Sequence, residues 1–127
     1  MLTDAPAFSG FSVDDIDAAV AFYRDTLGLD ASLGEMGIVH IHLAGGGQAI
    51  AYPKRDHEPA TFTILNFVVD DVDAAVDDLN GRGVVTKIYT DPDFGTDERG
   101  IARGNGGPAI AWFRDPAGNV LSVLEDA

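Results

Sequence analysis

Two histidines, His40 and His42, are the residues whose type and spacing most readily suggest chemistry. They are two positions apart in an alternating apolar segment, so on a strand their imidazoles share one face. Such a pair could begin a site for a divalent metal, or act as acid and base near neutral pH. Glu35 is nearby, but no carboxylate lies at a spacing that completes a set of three ligands. The pair could equally be hydrogen-bonded or half-exposed residues with no catalytic role.

A second group of residues could bind a small molecule. Trp112, the only tryptophan, and Arg114 alternate on a predicted strand, so both face one side of it. An indole there would stack a planar ligand, although a role in filling the core would suit it as well. Asn66 is expected on the same kind of face, where its amide would orient a ligand or pair with neighbouring backbone. Tyr52 and Arg114 are weaker candidates for the rim of such a site.

Several kinds of chemistry are excluded or disfavoured by the sequence. The chain has no cysteine, which excludes disulfides, thiolate metal ligands and a cysteine nucleophile. It contains neither a Gly-x-Ser-x-Gly nor a Gly-x-x-x-x-Gly-Lys motif, and its glycine runs at 45–47 and 104–107 do not open helices. His57 lies between Asp56 and Glu58, which predicts a solvated surface residue.

The charge balance limits the partners that the chain can take. Its 21 acidic and 8 basic residues give a formal net charge of −13. A surface of that sign repels nucleic acid and anionic membranes, so neither is expected as a partner. No apolar run approaches the roughly 18 residues of a membrane span. The N-terminal residues include Asp4 and no basic, hydrophobic leader, which favours a cytoplasmic location.

An internal repeat indicates which elements position these residues. Residues 13–20 read Val-Asp-Asp-Ile-Asp-Ala-Ala-Val, and residues 69–76 differ from them only in Val for Ile. Phe11 and Phe67 match in the same frame, 56 positions apart, which indicates a duplicated supersecondary unit. Each copy has a short alternating strand, at 8–13 or 62–69, followed by aspartates able to cap a helix. Asp14 or Asp15 would cap the first helix, and Asp70 or Asp71 the second. Two such units would share a cleft, a natural ligand site.

The rest of each copy predicts one helix and three further strands. Apolar residues at helical spacing indicate helices from 16 to about 28 and from 72 to 81 or 83. Strands are expected at 30–35, 37–43 and 48–53, and at 84–90, 109–114 and 119–125, with a Pro-Gly turn at 115–119. The predicted fold is α+β, a single domain of two β-α-β-β-β modules that form a curved mixed sheet around a cleft. The modules are 5–53 and 61–126, joined by a linker at 54–60, and the aperiodic segment 91–107 is a lid or a surface loop.

The whole pattern resembles the vicinal oxygen chelate superfamily of glyoxalase I, extradiol dioxygenases, fosfomycin-resistance enzymes and bleomycin-resistance proteins. The resemblance rests on the two modules, on Phe22-Tyr23 before Leu27-Gly28-Leu29, and on the run Trp-Phe-Arg-Asp-Pro-Ala-Gly-Asn at 112–119. It covers nearly the whole chain and implies the fold strongly. It says little about the reaction, because function depends on the site rather than on the fold.

The resemblance also implies four positions for His, Gln or Glu ligands of a divalent metal. Carried over by motif, these positions are Phe8, Ala51, Ile64 and Ser122, and none is a competent ligand. We therefore expect no cofactor. The leading hypothesis is a cleft that binds a small apolar or aromatic molecule, lined by these four residues with Tyr52, Asn66, Trp112 and Arg114. The alternatives are a glyoxalase- or dioxygenase-type enzyme with its metal relocated to His40 and His42, or a metal-free isomerase or lyase with a histidine base. Members of the superfamily are often dimers, which makes a homodimer the expected assembly.

Overall fold

The computed structural model describes residues 1–91, 95–104 and 106–126. The chain divides into two units, Met1–Glu58 and Pro59–Ala127, which we call unit 1 and unit 2. Unit 1 contains β1 (Ser9–Val13), α1 (Ile16–Val20), β2 (Asp30–Leu33), β3 (Val39–His42) and β4 (Gln48–Pro53), with short 3₁₀ turns at Leu2–Asp4 and Glu35–Gly37. Its sheet has the order β1-β4-β3-β2, in which β1 and β4 are parallel and the other pairs antiparallel.

Unit 2 repeats this topology. It contains β5 (Thr63–Val69), α2 (Val72–Gly81), β6 (Ile101–Ala102), β7 (Ile110–Arg114) and β8 (Val120–Glu125). The sheet order is β5-β8-β7-β6, again with one parallel pair, β5 with β8. The predicted α+β fold of two β-α-β-β-β modules is therefore confirmed, and β4 and β8 occupy equivalent places in the two sheets.

The repeated aspartates begin both helices in the same way. Asp15 has an extended backbone and its carboxylate accepts a hydrogen bond from the amide of Ala18 at 3.1 Å. Asp71 does the same for Ala74 at 3.2 Å. Each carboxylate satisfies one of the amides that a first turn leaves free, and its charge favours the positive end of the helix dipole. Of the two aspartates possible at each helix, the second is the cap.

The two helices differ after this shared beginning. α2 is regular and buries Val72, Val76 and Leu79 against its sheet. α1 continues into a π-helical segment, Ala21–Thr26, because the amide of Leu27 bonds to the carbonyl of Phe22, five residues back. The wider turn leaves Phe22 and Tyr23 both buried. Among the described residues, no helix is long and apolar enough to cross a membrane.

One strand prediction is wrong. Residues 84–90 have no strand pairing, and the outer edge of β7 is instead occupied by β6, from within the segment 91–107. Side chains take the place of a ladder partner: Asn80 donates to the carbonyl of Val84 at 2.9 Å, and Thr96 to that of Tyr89 at 2.9 Å. Residues 92–94 and 105 of the segment predicted as a lid or surface loop lie outside the described residues.

The described part of that segment is bonded to α2 by two arginines. Arg99 bonds to the carboxylates of Asp73 at 2.8 Å and Asp77 at 2.7 Å, and Arg103 bonds to Asp73 at 2.6 Å. The Arg103 and Arg99 guanidiniums hold the pKa of Asp73 below its ordinary value. These pairs are partly exposed, so their main effect is to position residues 99–103 rather than to add much stability.

The turn at 115–119 closes unit 2 through buried polar groups. Asp115 accepts hydrogen bonds from the Asn119 amide at 2.8 Å and from its side chain at 3.1 Å. The Asn119 side-chain oxygen accepts from the amide of Ala60 at 3.0 Å. Gly118 supplies the positive φ, +85°, that the turn needs. The turn thereby fixes where the chain enters unit 2.

Candidate functional site

Each sheet has a face toward its helix and an opposite face, which we call the open face. In unit 1, Phe11 is buried on the helix face, where its ring centroid lies 5.7 Å from that of Tyr23. In unit 2, Glu125 marks the helix face, because its carboxylate accepts from the first amide of α2, on Val72, at 3.0 Å. Alternation along each strand then places every other side chain on the open face. Candidate ligand-binding residues should lie there.

The register corrects the expectation for Ala51. Ala51 pairs with Phe11 and with Val39, and it is fully buried on the helix face. It cannot line a site with its neighbour Tyr52, since adjacent residues of a strand point to opposite faces. In the 56-residue frame of the repeat, Phe11 with Ala51 corresponds to Phe67 with Val123. The counterpart of Ser122 is therefore Ile50, which pairs with Gly10 on the open face.

The open face of unit 1 is apolar at its centre. Gly10 lies beneath Ile50 and Tyr52: a Cβ added to this glycine would be 3.2 Å from an Ile50 side-chain carbon and 3.6 Å from the Tyr52 ring. Tyr52 remains partly exposed. Phe8 lies just before β1 and is exposed. This surface offers apolar contact and no charged group at its centre.

His40 and His42 both lie on the open face of unit 1, but they do not assemble a metal site. The His40 ring is half-buried against the backbone of Gly34, where an added Cβ would be 2.8 Å from its Nε2 atom. His42 is exposed and pairs across the ladder with Asp30. Among the described residues, no group of three or more histidines and carboxylates could hold a metal ion. The described residues therefore supply no third ligand for a metal relocated to His40 and His42.

His57 was missed as a candidate by the sequence. Its Nδ1 lies 2.6 Å from the hydroxyl oxygen of Ser12, on the open face of β1. The side chain is half-buried rather than solvated, which corrects the expectation from its acidic neighbours. No local pattern signals a contact between residues 45 positions apart.

The open face of unit 2 carries a polar and aromatic row across three strands. Asn66 pairs with Ser122, and Ser122 pairs with Trp112. The fully buried Ser122 hydroxyl donates to the side-chain oxygen of Asn66 at 2.6 Å. This bond occupies the acceptor of the amide and leaves both of its N–H groups free of partners among the described residues.

Trp112 is held at one end of this row by an aromatic contact. Its ring centroid lies 5.2 Å from that of Tyr89, and the rings meet edge to face at 79°. Such a pair is favourable in itself and fixes the plane of the indole. Arg114 lies on the same face and is exposed, while Ile64 lies where the β5–β8 pairing shifts register. The structure thus brings Asn66, Ser122 and Trp112 together, with Tyr89 as a member that the sequence did not indicate.

The metal implied by the resemblance does not fit the residues present. The relevant residues are Phe8, just before β1, and Ile50 in unit 1, and Ile64, at the register shift of β5, and Ser122 in unit 2. Three of them have no donor atom, and the Ser122 hydroxyl already bonds to Asn66. The corrected register puts Ile50 at the ligand position expected for Ala51, and an isoleucine side chain has no oxygen or nitrogen to bind a metal. No step of a reaction can be derived through a metal at these positions.

Comparison with known proteins agrees with this fold. The sequence profile of the Glyoxalase/Bleomycin resistance protein/Dioxygenase superfamily matches residues 7–123. A solved member of that superfamily from Sphaerobacter thermophilus is 22% identical with a TM-score of 0.69, over 96% of this chain and 98% of the other. TnmS3, an antibiotic binding protein from a Streptomyces species, is 23% identical with a TM-score of 0.69, over 98% of both chains. A lactoylglutathione lyase from Agrobacterium tumefaciens is 26% identical with a TM-score of 0.62, over 96% and 93%. Comparison with curated proteins finds no match.

Proposed function

The chain belongs to the Glyoxalase/Bleomycin resistance protein/Dioxygenase superfamily, and we propose that it binds a small, flat, apolar or aromatic molecule without a metal. The observation that carries this proposal is the row Asn66–Ser122–Trp112 on the open face of unit 2. The indole supplies a rigid apolar surface for a planar ligand. The Asn66 N–H groups, oriented by Ser122, supply donors for a carbonyl or another acceptor on the ligand.

The absence of suitable ligands at the superfamily's metal positions supports binding over metal-assisted chemistry. The apolar side chains at these positions favour contact with hydrocarbon or aromatic surface. The name of TnmS3 states that one protein of this fold binds an antibiotic. The net charge of −13 would also attract a cationic ligand by long-range electrostatics.

The proposal is tested with two flat probes that differ in one group. Coumarin carries a carbonyl acceptor, whereas naphthalene has a similar shape and no acceptor. Both should quench the emission of Trp112, which is the only tryptophan and therefore reports on unit 2 alone. Coumarin should bind more tightly, because one neutral hydrogen bond contributes about 1 kcal/mol, or roughly five-fold in affinity.

An Asn66→Ala variant separates the amide from the aromatic surface. It should weaken coumarin by about five-fold and leave naphthalene unchanged. Asp78→Asn, on the exposed side of α2, is the matched control and should change neither affinity. Failure of both probes to perturb Trp112 would reject the site, and equal losses for both probes in Asn66→Ala would reject the role of the amide.

One contact favours a second candidate, a metal-free enzyme that uses a histidine. The Ser12 hydroxyl and His57 Nδ1 are 2.6 Å apart, close enough for the imidazole to remove the hydroxyl proton. A fluorophosphonate probe would then label Ser12, since fluoride leaves as the serine oxygen bonds to phosphorus and the imidazole takes the proton. Intact-mass measurement on the native chain, Ser12→Ala and His57→Gln decides the matter: an unlabelled native chain assigns the contact to structure alone.

Three further properties belong to the proposal. A metal-free state predicts substoichiometric Mn, Fe, Co, Ni and Zn after purification and re-addition, with no rise in melting temperature. A homodimer predicts twice the chain mass in sedimentation equilibrium. A cytoplasmic location predicts recovery with the cytoplasmic fraction of cells that express the native gene.

A further inference from the structure

Unit 2 has an open surface cavity of about 360 Å³ that shares no residue with the row on its open face. It lies where α2 ends and the segment 84–87 passes beside residues 98 and 99. Small-molecule sites span roughly 300–1,000 Å³, so this one suits a small metabolite. Val84 and Val85 contribute apolar surface, and Val85 is 64% exposed. An exposed valine at the rim of a cavity offers contact to an apolar group.

The walls of this cavity are held in place by side-chain hydrogen bonds. Asn80 uses both N–H groups of its amide, on the Val84 carbonyl at 2.9 Å and on the Thr86 hydroxyl oxygen at 3.0 Å. The Thr86 hydroxyl in turn donates to the carbonyl of Arg99 at 2.7 Å. The cavity is therefore shaped before any ligand arrives, which lowers the ordering cost of binding.

Lys87 is a basic residue of the lining whose ammonium group is held in one place. Its ammonium group donates to the carbonyl of Thr96 at 3.2 Å and to the Thr96 hydroxyl at 2.5 Å, so one of its three N–H groups is left. Within the described ranges, no carboxylate lies within 4 Å of it. Arg99 differs, because Asp73 and Asp77 already pair with its guanidinium. Lys87 is thus the cation of this cavity that is available to an anionic group.

Glu98 is the acidic residue of the same lining. Its carboxylate has no hydrogen bond or ion pair with the described part of the chain. A simple anion would satisfy only Lys87, and a simple cation would satisfy only Glu98. A ligand that carries both charges satisfies both groups with charge-assisted hydrogen bonds.

We propose that this cavity binds a small apolar α-amino acid as its zwitterion. The ligand's carboxylate bonds to Lys87, its ammonium bonds to Glu98, and its side chain contacts Val84 and Val85. The site is independent of the proposed function, since it uses no residue of the open face of either sheet. Its ligand is also of a different class, charged at one end and aliphatic rather than flat.

The test uses L-leucine with two analogues that each lack one charge. Isocaproate is leucine without the ammonium group, and isoamylamine is leucine without the carboxylate. In ¹H–¹⁵N spectra of the full chain, leucine should produce saturable shifts of amides at 80–87 and 98–99. Each analogue should bind at least about ten-fold more weakly, the factor that corresponds to about 1.4 kcal/mol.

Glu98→Gln and Lys87→Met should each weaken leucine by at least about ten-fold. Glu98 is exposed, and Glu98→Gln breaks no bond among the described residues. This variant therefore tests the site even if Lys87→Met disturbs the structure around Thr96. Lys54→Met, which removes an exposed lysine paired with Asp56, is the control and should leave binding unchanged. The proposal is overturned by the absence of saturable shifts, by isocaproate binding as tightly as leucine, or by shifts centred on Asn66 and Trp112.

Discussion

Gly100 provides a sharp test of how unit 2 is packed. Its φ is +87°, and an added Cβ would lie 1.9 Å from the carbonyl oxygen of Thr86 and 2.6 Å from the carbonyl carbon. Contacts of this length with backbone cannot be relieved by a side-chain rotation. In Gly100→Ala, the Thr86 peptide must retreat by about 1 Å. Gly104 is the matched control, because its φ is +73° and an added Cβ meets no atom of the described residues within 4 Å.

The expected magnitudes follow from these two environments. A positive φ costs an alanine about 1–2 kcal/mol, and both variants pay it. Both also gain equally from a less flexible unfolded chain. Only Gly100→Ala must displace Thr86, whose hydroxyl bonds to Arg99 and Asn80. Weakening two hydrogen bonds at about 1 kcal/mol each adds about 2 kcal/mol. With the gain from the unfolded chain, about 0.4–1 kcal/mol, subtracted, the total for Gly100→Ala should be about 2–3.5 kcal/mol.

The assay is urea unfolding followed by the emission of Trp112, with the free energy of unfolding extrapolated to water. The two variants should differ by about 2 kcal/mol at an unchanged slope with urea concentration. A difference below about 0.5 kcal/mol would refute the reasoning, because the close approach of Gly100 to Thr86 would then carry no energetic weight. The leucine-dependent shifts at 80–87 should also be lost in Gly100→Ala and retained in Gly104→Ala.

Three other variants test contacts described above. Asn119→Ala should lower the free energy of unfolding by about 2–4 kcal/mol, since it removes a bond to a buried carboxylate and leaves the Ala60 amide without its partner; a loss below about 1 kcal/mol in urea unfolding would contradict this. Asp73→Asn should destabilise the chain at neutral pH, and the difference from the native chain should shrink as the pH falls below 3.8, the ordinary value. A carboxyl group whose pKa is lowered in the folded chain stabilises the fold above its ordinary pKa, and this stabilisation is lost as the pH falls through the folded-state pKa. A difference that persists in strong acid would argue against the arginine pairs. Ser12→Ala should cost about 1 kcal/mol by releasing His57, and thermal unfolding with no measurable change would show that the contact is without consequence.

The features that the sequence predicted well are local or repeated. The caps at Asp15 and Asp71 and the whole of α2 follow from residues within one or two turns of the chain. The strand at 48–53 was predicted with its observed bounds, because alternation and flanking glycines define it locally.

The features that the sequence missed depend on contacts between distant residues. The segment 84–90 has strand-forming composition, but bonds from Asn80 and Thr96 and the close approach of Gly100 hold it outside the ladder. The pairing of His57 with Ser12 has no local signal at all. Ala51 was expected on the face that the observed register gives to its neighbour Ile50, because sequence motifs alone do not fix the register of the β1–β4 ladder. A shift of one residue exchanges the two faces of a strand, which is why the error changed a candidate residue.

The alternation of the two sheets has a consequence for how such a chain can evolve. In both units the helix face carries the residues that hold the fold, whereas the open faces differ: unit 1 has Gly10, Ile50 and His40 where unit 2 has Asn66, Ser122 and Trp112. A duplicated module of this kind can vary its ligand chemistry in one copy while the other copy and both cores stay unchanged. Selection for a new ligand would therefore act on a few positions two residues apart, at little risk to folding.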